Sequence, residues 1–244
     1  MKAQGPPLPG RQVMSQWWRD ISFLHWRVDP AVVAPLLPRG VDPDVHDGSS
    51  WVGLIPFRMV DAGLGHRGPV PHLGTFLETN VRLYSIDPAG RRGVVFRSLE
   101  ADRLPVVAAA RVSLGVAYQW ARLSVEPPDL GPEPETRSIS YRSRRRGRSG
   151  VGCRVDVEVG TVLAEPSPLD LFLTARFGLH TSVAGRTLWV PNTHGPWPLR
   201  AARATYVEDT LVAAAGLPGL TDSAPESVLF SSGVRTVFGF PQRI

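Results

Sequence analysis

Lysine and cysteine are nearly absent from this chain of 244 residues. Among its 27 basic residues the only lysine is Lys2, and all the others are arginines. Arginine stays protonated at working pH and cannot form an imine with a carbonyl compound. Imine chemistry, attachment of pyridoxal phosphate and a lysine-dependent Walker A loop are therefore excluded beyond Lys2. Cys153 is the single cysteine, which excludes a disulfide framework and a multi-cysteine metal site.

Long apolar runs are also missing. No segment approaches the roughly 18 apolar residues of a membrane-spanning helix, and the first residues lack the apolar core of a secretion signal. We therefore expect no membrane association and a cytoplasmic protein. The Pro- and Gly-rich residues 1–13 are predicted to form a disordered leader. Residues 14–244 are predicted to form a single domain, since no repeat or change of composition marks a boundary.

Positive charge is concentrated in one stretch. Six arginines lie between Arg137 and Arg148, and the rest of the chain has 21 basic against 22 acidic residues. The high pI is thus a local property. A solvated β-turn between two strands accounts for this stretch, and an anion- or nucleic-acid-binding patch is the alternative. Tyr141 is the only aromatic residue there that could stack on a base, so a nucleic-acid partner is not favoured.

Glycine and proline, 24 of each, are scattered between short apolar runs, which is typical of many short strands. Hairpin turns are predicted at Asp47-Gly48 and at residues 87–90, and residues 152–159 alternate like a half-exposed antiparallel strand. Helices are predicted at residues 30–37, 104–111, 168–177 and 209–215, the first capped by Asp29 and the third opened by Ser167. The predicted class is α+β, with a mainly antiparallel, curved sheet closed into a barrel and a few peripheral helices.

Neither the dinucleotide-binding motif nor a histidine metal-binding motif is supported by its surrounding sequence. Residues 63–68 read GLGHRG, which matches the dinucleotide fingerprint, but Pro69 and Pro71 follow and preclude the helix that would bind the pyrophosphate. The histidines pair only as His66 with His72 and His180 with His194, without a helical metal-binding spacing. We therefore predict neither a dinucleotide site nor a metal site.

The segment from Gly74 to Tyr84 is the most informative. In a strand, Leu77, Val81 and Leu83 share one face. The other face carries aromatic, acidic, amide and basic side chains, namely Phe76, Glu78, Asn80, Arg82 and Tyr84. A solvent-facing strand and a cavity wall both explain this pattern. The aromatic residues at both ends of the polar stripe favour the cavity.

If this face lines a pocket, Glu78 gains a raised pKa and can exchange a proton. Arg82 stays cationic and can hold a carboxylate or enolate oxygen. Further candidates for substrate binding are Arg111, Tyr118 and Arg176, which lie in otherwise apolar stretches, and His194 and Trp197, which share a rigid Pro-rich loop. Structural salt bridges explain the same arginines, and Trp197 could equally fill the core.

These segments resemble the YqjF-like family of uncharacterised bacterial proteins, in the acetoacetate decarboxylase-like superfamily. The resemblance rests on QWWRDISFLHWRVDP, LLPRGVDPDVHDGSSWVGLIPFRM, FLETNVRLYS, FLTARF and HGPWPL, which together span roughly residues 14–240. It implies a single domain whose curved antiparallel sheet forms a cone-like barrel around a cavity. The decarboxylases of the superfamily use a barrel lysine for an imine, with nearby glutamates and an arginine.

Glu78 is similar to one of those glutamates, but residues 106–116, where the lysine should lie, contain none. The polar face of residues 76–84 then leads to our first hypothesis, a cofactor-independent enzyme acting on a carbonyl or carboxylate compound, a lyase, cyclase or isomerase without an imine. Glu78 would be its acid and base, Arg82 or Arg111 its anion holder, and Tyr118 or His194 its proton relay. A non-catalytic protein that binds a small molecule in the same cavity is the alternative. Assembly into a homo-oligomer stays open.

Overall fold

The computed structural model describes residues 2–65, 68–103, 115–128, 130 and 137–244. In this part of the chain, one sheet contains the strands β1 Met14–Val28, β2 Asp42–Pro43, β3 Ser50–Leu64, β4 Phe76–Ile86, β5 Arg92–Ala101, β6 Tyr118–Glu126, β7 Arg137–Arg145, β8 Gly152–Val162, β9 Gly178–Val183, β10 Arg186–His194, β11 Leu199–Asp209, β12 Ser227–Phe238 and β13 Gln242–Arg243. Short helices are α1 Pro30–Val33, α2 Pro168–Thr174 and α3 Leu211–Ala214, with 3₁₀ turns at Ala34–Leu36 and Leu220–Asp222. No helix here is long and apolar enough to cross a membrane.

The sheet curves until its strands close a ring. The order is β13-β10-β9-β5-β6-β7-β8-β11-β12-β1-β3-β4-β2, and β10 also pairs with β12 and β4 with β5. Strands β4, β5, β9, β10, β12, β1 and β3 therefore follow one another in a closed circuit. Almost all pairs are antiparallel, and β5 pairs in parallel with β6 and β9. The predicted α+β class with a curved, mainly antiparallel sheet is confirmed, although the ring is not a regular barrel.

Strand β4 is buried on both of its faces. Val81 and Leu83 pack into a large apolar cluster that includes Trp26, Leu54 and Val157. The opposite face, which carries Glu78 and Arg82, points into the interior of the ring. The strand therefore separates an apolar core from a cavity.

Capping side chains set the helix starts as predicted. The Asp29 carboxylate accepts a hydrogen bond from the Ala31 amide at 2.8 Å, and Ser167 forms a capping box with Asp170. Helix α2, however, ends at Thr174 and not before Gly178. Gly178 begins β9, and a Cβ there would overlap the Trp189 ring, so close packing requires the glycine.

Other local predictions have mixed outcomes. Both hairpin turns form, with Asp47 and Gly48 at φ of +48° and +77°, but the short β2 before the first turn pairs with β4 and not with β3. The arginine-rich stretch is mostly strand β7, with its turn only at residues 146–150. The predicted helix at 104–111 lies outside the described residues. Residues 2–13 contain no helix or strand, yet the Gly5 amide donates to the His194 carbonyl at 3.1 Å.

Candidate active site

A cavity of about 500 Å³ lies within the ring of strands. Its wall is mostly apolar and is formed by β1, β3, β4, β5, β9, β10 and β12, by Tyr118 of β6 and by the segment after α2. This volume lies within the range of sites that hold small organic ligands. Polar side chains on the wall include Gln16, Glu78, Asn80, Arg82, Tyr118, Arg176, Asn192 and His194.

Glu78 is a buried carboxyl in the cavity wall. It lies between Phe57 of β3 and Ala101 of β5, and only 3% of its surface is exposed. The Tyr118 hydroxyl donates a hydrogen bond to Glu78 Oε2 at 2.8 Å. Burial raises the pKa of Glu78 to about 7, against hydrogen bonds from Tyr118 and Asn80 that favour the carboxylate. Glu78 can therefore hold or release a proton near neutral pH.

Arg82 supplies a buried positive charge. Its Nε donates to the Tyr84 hydroxyl at 3.0 Å, and its Nη2 donates to the Leu173 carbonyl at 2.8 Å. Among the residues that the structure describes, no carboxylate forms an ion pair with Arg82. A guanidinium at 9% exposure without an anionic partner favours the binding of an anion in the cavity.

Tyr84 stands behind the cavity wall and does not line it. Its hydroxyl donates to the Leu173 carbonyl at 2.8 Å and lies 2.6 Å from His25 Nε2. Burial raises the pKa of Tyr84 and lowers that of His25 well below its usual range, so both groups are neutral at pH 7. Tyr84 therefore fixes the position of Arg82 from behind, and the prediction that Tyr84 contacts substrate does not match its place.

Arg176 carries a second guanidinium to the cavity. It pairs with the buried Asp44 carboxylate, and its Nε donates to the Phe172 carbonyl at 2.6 Å. Its Nη2 is buried and has no hydrogen-bond partner. Asp44 also lies 3.4 Å from Arg92, so it is shared between two cations. The salt-bridge explanation of Arg176 is thus correct, and its buried Nη2 is a donor without a hydrogen-bond partner.

His194 and Trp197 form one wall of the cavity. Trp197 stacks on Trp18 with ring centroids 5.8 Å apart, and its indole N–H donates to the Thr174 carbonyl at 2.9 Å. Burial lowers the pKa of His194, against the nearby carbonyls of Gly195 and Arg176, which favour the protonated ring. His194 is thus a neutral hydrogen-bonding group at pH 7, and Trp197 both packs the interior and faces the cavity.

The structure brings most predicted residues together. Phe76, Glu78, Asn80, Arg82, Tyr118, Arg176, His194 and Trp197 all line the cavity, and Arg111 lies outside the described residues. Sequence reasoning missed Asn192, whose buried Oδ1 has no hydrogen-bond partner, and Gln16. An isolated amide in the apolar run LWVPNTH was the only signal for Asn192. No group of three or more potential metal ligands occurs among the residues placed by the structure.

Comparisons with known proteins agree with this architecture. The family model DUF2071, described as "Uncharacterized conserved protein (COG2071)", matches residues 15–235. The "Uncharacterized protein YqjF" of Bacillus subtilis (strain 168) is 28% identical over 218 residues, which cover 88% of this chain and 86% of that protein.

Two solved structures share the fold at low identity. Acetoacetate decarboxylase from Legionella pneumophila superposes with a TM-score of 0.66 at 13% identity, over 98% of this chain and 92% of the other. The enduracididine biosynthesis enzyme MppR, complexed with the condensation product of pyruvate and imidazole 4-carboxaldehyde, gives a TM-score of 0.63 at 16% identity, over 97% and 90%. The chain therefore shares the fold of acetoacetate decarboxylase, is similar to YqjF, and belongs to the DUF2071 family.

Proposed function

We propose that this protein is an enzyme that binds a small carboxylate compound in its cavity and moves a proton on it without forming an imine. The reaction would be that of a lyase, cyclase or isomerase. The observation that carries the proposal is that Arg82, which has no ion-pair partner among the described residues, and the buried Glu78 lie on the same face of the cavity. Two of the structural neighbours, acetoacetate decarboxylase and MppR, are enzymes of small acids, which supports the same class of ligand.

Binding depends on the two guanidinium groups. Arg82 holds the substrate carboxylate, since it brings a charge that no described side chain balances. Arg176, which lines the same cavity, adds a second positive charge that favours a developing negative charge on a ligand oxygen. The low-polarity wall around both groups strengthens these hydrogen bonds.

Chemistry depends on Glu78. As a carboxylate it accepts a proton from the carbon next to a substrate carbonyl; the C–H bond breaks, an O–H bond forms on Glu78, and the electron pair moves onto the carbonyl oxygen. The resulting enolate is stabilised by Arg82 or Arg176, and Glu78 returns the proton to the same or another carbon. A pKa of about 7 suits a group that must act in both directions at neutral pH.

The imine route of the superfamily is not available to this chain. The only lysine is Lys2, and its side chain is exposed in the segment before β1. No lysine can therefore supply a buried amine within the ring of strands. The proposed proton transfer uses a carboxyl group in place of that amine.

Proton exchange tests this proposal without knowledge of the natural substrate. 2-Oxobutanoate in D₂O exchanges its C3 protons slowly, and the protein should accelerate this exchange, which proton NMR follows. Glu78→Gln should abolish the acceleration, whereas the exposed Glu165→Gln should retain it. An unimpaired Glu78→Gln variant would reject the role of Glu78.

A binding protein without catalysis is the second candidate. The observation that favours it is that Glu78 already has hydrogen bonds from Tyr118 and Asn80, so the carboxyl could serve the structure alone. This candidate predicts that 2-oxobutanoate binds to the wild-type protein and to Glu78→Gln equally, with no accelerated exchange in either. Calorimetric binding and the NMR exchange rate together separate the two functions.

A further inference from the structure

The cavity-facing side chains of β4 are polar or charged from Arg82 to Glu78 and become apolar at Phe76, near the start of the strand. In order they are Arg82, Asn80, Glu78 and Phe76. Residues two apart on a strand are roughly 7 Å apart, so this series extends over about 20 Å. A ligand whose carboxylate lies at Arg82 therefore meets an amide, then an acid, and then an aromatic ring.

Beyond Phe76 the cavity is apolar. Met59 pairs with Phe76, and Met14 pairs with both Leu64 and Phe238. The Val70 amide donates to the Ala62 carbonyl and the Ala62 amide donates to the Gly74 carbonyl, which holds residues 70–74 against the end of β3. The apolar side chains that line it are Met14, Met59, Leu64, Val70, Leu73 and Phe76. The amides of Gln16 and Asn192 also line the cavity, Asn192 opposite Phe238 on the neighbouring strand, but no charged side chain is placed at this end among the described residues.

The rim at this end is also apolar. Leu64 and Val70 line the cavity and yet expose 63% and 37% of their surface. Large apolar side chains grouped at the opening of a cavity are typical of a surface that contacts an apolar ligand. A short polar acid would occupy only the part of the cavity next to Arg82 and would leave the apolar side chains beyond Phe76 in contact with water.

We propose that the natural ligand is an amphipathic oxo- or hydroxy-carboxylic acid whose carboxylate binds Arg82 and whose apolar tail lies beyond Phe76. This inference rests on the proposed function and specifies its substrate class. The oxo or hydroxy group lies near Asn80 and Glu78, which follow Arg82 along the strand. The tail contacts Leu73 and Val70 at the far end.

A chain-length series measures the apolar contribution. Straight-chain 3-hydroxy acids of about four to about twelve carbons are titrated into the protein by calorimetry. Each additional methylene group should tighten binding roughly fourfold until the tail reaches the opening. Primary alcohols of the same lengths serve as matched ligands without the charge and should bind at least tenfold more weakly.

A cavity-filling variant locates the tail. Leu73→Trp should weaken the binding of the longest acids at least tenfold and leave the four-carbon acid unchanged. Val70→Trp is a second variant for the same purpose, since Val70 is partly exposed and tolerates a larger side chain. Val162→Trp, on an exposed position of β8, is the matched control and should change neither. Thermal unfolding confirms that each variant folds.

The outcomes separate this inference from the proposed function. Affinity that rises with length and falls in the Leu73→Trp or Val70→Trp variant supports it. Short and long acids that bind equally, and more tightly than the alcohols, would overturn the apolar tail but keep the carboxylate site. If no acid binds better than its alcohol, the carboxylate site itself is wrong, and both proposals fall.

Discussion

The Glu78→Gln substitution should remove a loss of stability that the wild-type protein undergoes between pH 4.5 and about 7. Burial raises the pKa of this carboxyl from 4.5 to about 7 in the folded protein. Below pH 4.5 the group is protonated in both folded and unfolded chains and does not affect the free energy of unfolding. Between pH 4.5 and about 7 the unfolded chain loses this proton before the folded protein does, so the free energy of unfolding falls; above pH 7 both states are ionised and the loss is complete. The total decrease in the free energy of unfolding that this carboxyl causes is about 3 kcal/mol.

Glutamine has almost the same shape, still accepts the Tyr118 hydroxyl and never ionises. Urea unfolding of both proteins between about pH 4 and pH 9 measures the difference in free energy of unfolding. The free energy of unfolding of the variant minus that of the wild type should increase by about 3 kcal/mol over this range, mainly between pH 4.5 and 7. Glu165→Gln is the exposed control. A difference for Glu78→Gln that stays flat with pH would show that the carboxyl is hydrated and would refute the cavity argument.

Three further substitutions test the rest of the site. Arg82→Gln should lower the calorimetric affinity for 2-oxobutanoate about tenfold or more, since a charge-assisted hydrogen bond is lost; unchanged affinity would place the anion elsewhere. Arg176→Met should lower the free energy of unfolding by about 3 kcal/mol, because the buried Asp44 carboxylate loses its main partner; a loss below about 1 kcal/mol in urea unfolding would contradict this. Tyr118→Phe removes a hydrogen bond that lowers the pKa of Glu78, so the pH midpoint of NMR-measured proton exchange should rise above 7 and not fall.

The sequence predicts the two faces of β4 because alternation depends only on local geometry. Val81 and Leu83 do pack in the core, and Glu78 and Arg82 face the other way. Whether that second face meets water or a cavity depends on strands distant in the sequence. The closure through β10 and β12 therefore could not be derived from alternation alone.

Bulges explain part of what alternation misses. Trp18 and Ile21 both line the cavity, although they are three positions apart and would face opposite sides of a regular strand, because the β1–β3 register shifts around Asp20, which has a φ of +46°. Phe96 and Leu99 likewise face the same cavity across a register shift in the β4–β5 pair. A shift of one residue moves every following side chain to the other face. The sequence carries no clear signal for these positions.

Long-range polar pairs were the least predictable part of the site. Asp44 and Arg176 are far apart in the chain and meet only through the folded ring, so no spacing indicates their ion pair. The arginine-rich stretch shows the opposite case, since its composition suggested a turn although most of it is strand β7. Within it, Arg145 pairs with the buried Glu100 at 2.6 Å and is thus a structural residue. Composition reveals such charges but not their partners.

A crystal structure of the protein soaked with a straight-chain 3-hydroxy acid would show whether the cavity is the ligand site. The carboxylate should lie against the guanidinium of Arg82, with the remaining chain directed along β4 past Glu78. A carboxylate bound outside the ring of strands, or Glu78 and Arg82 with their side chains in bulk solvent, would contradict it.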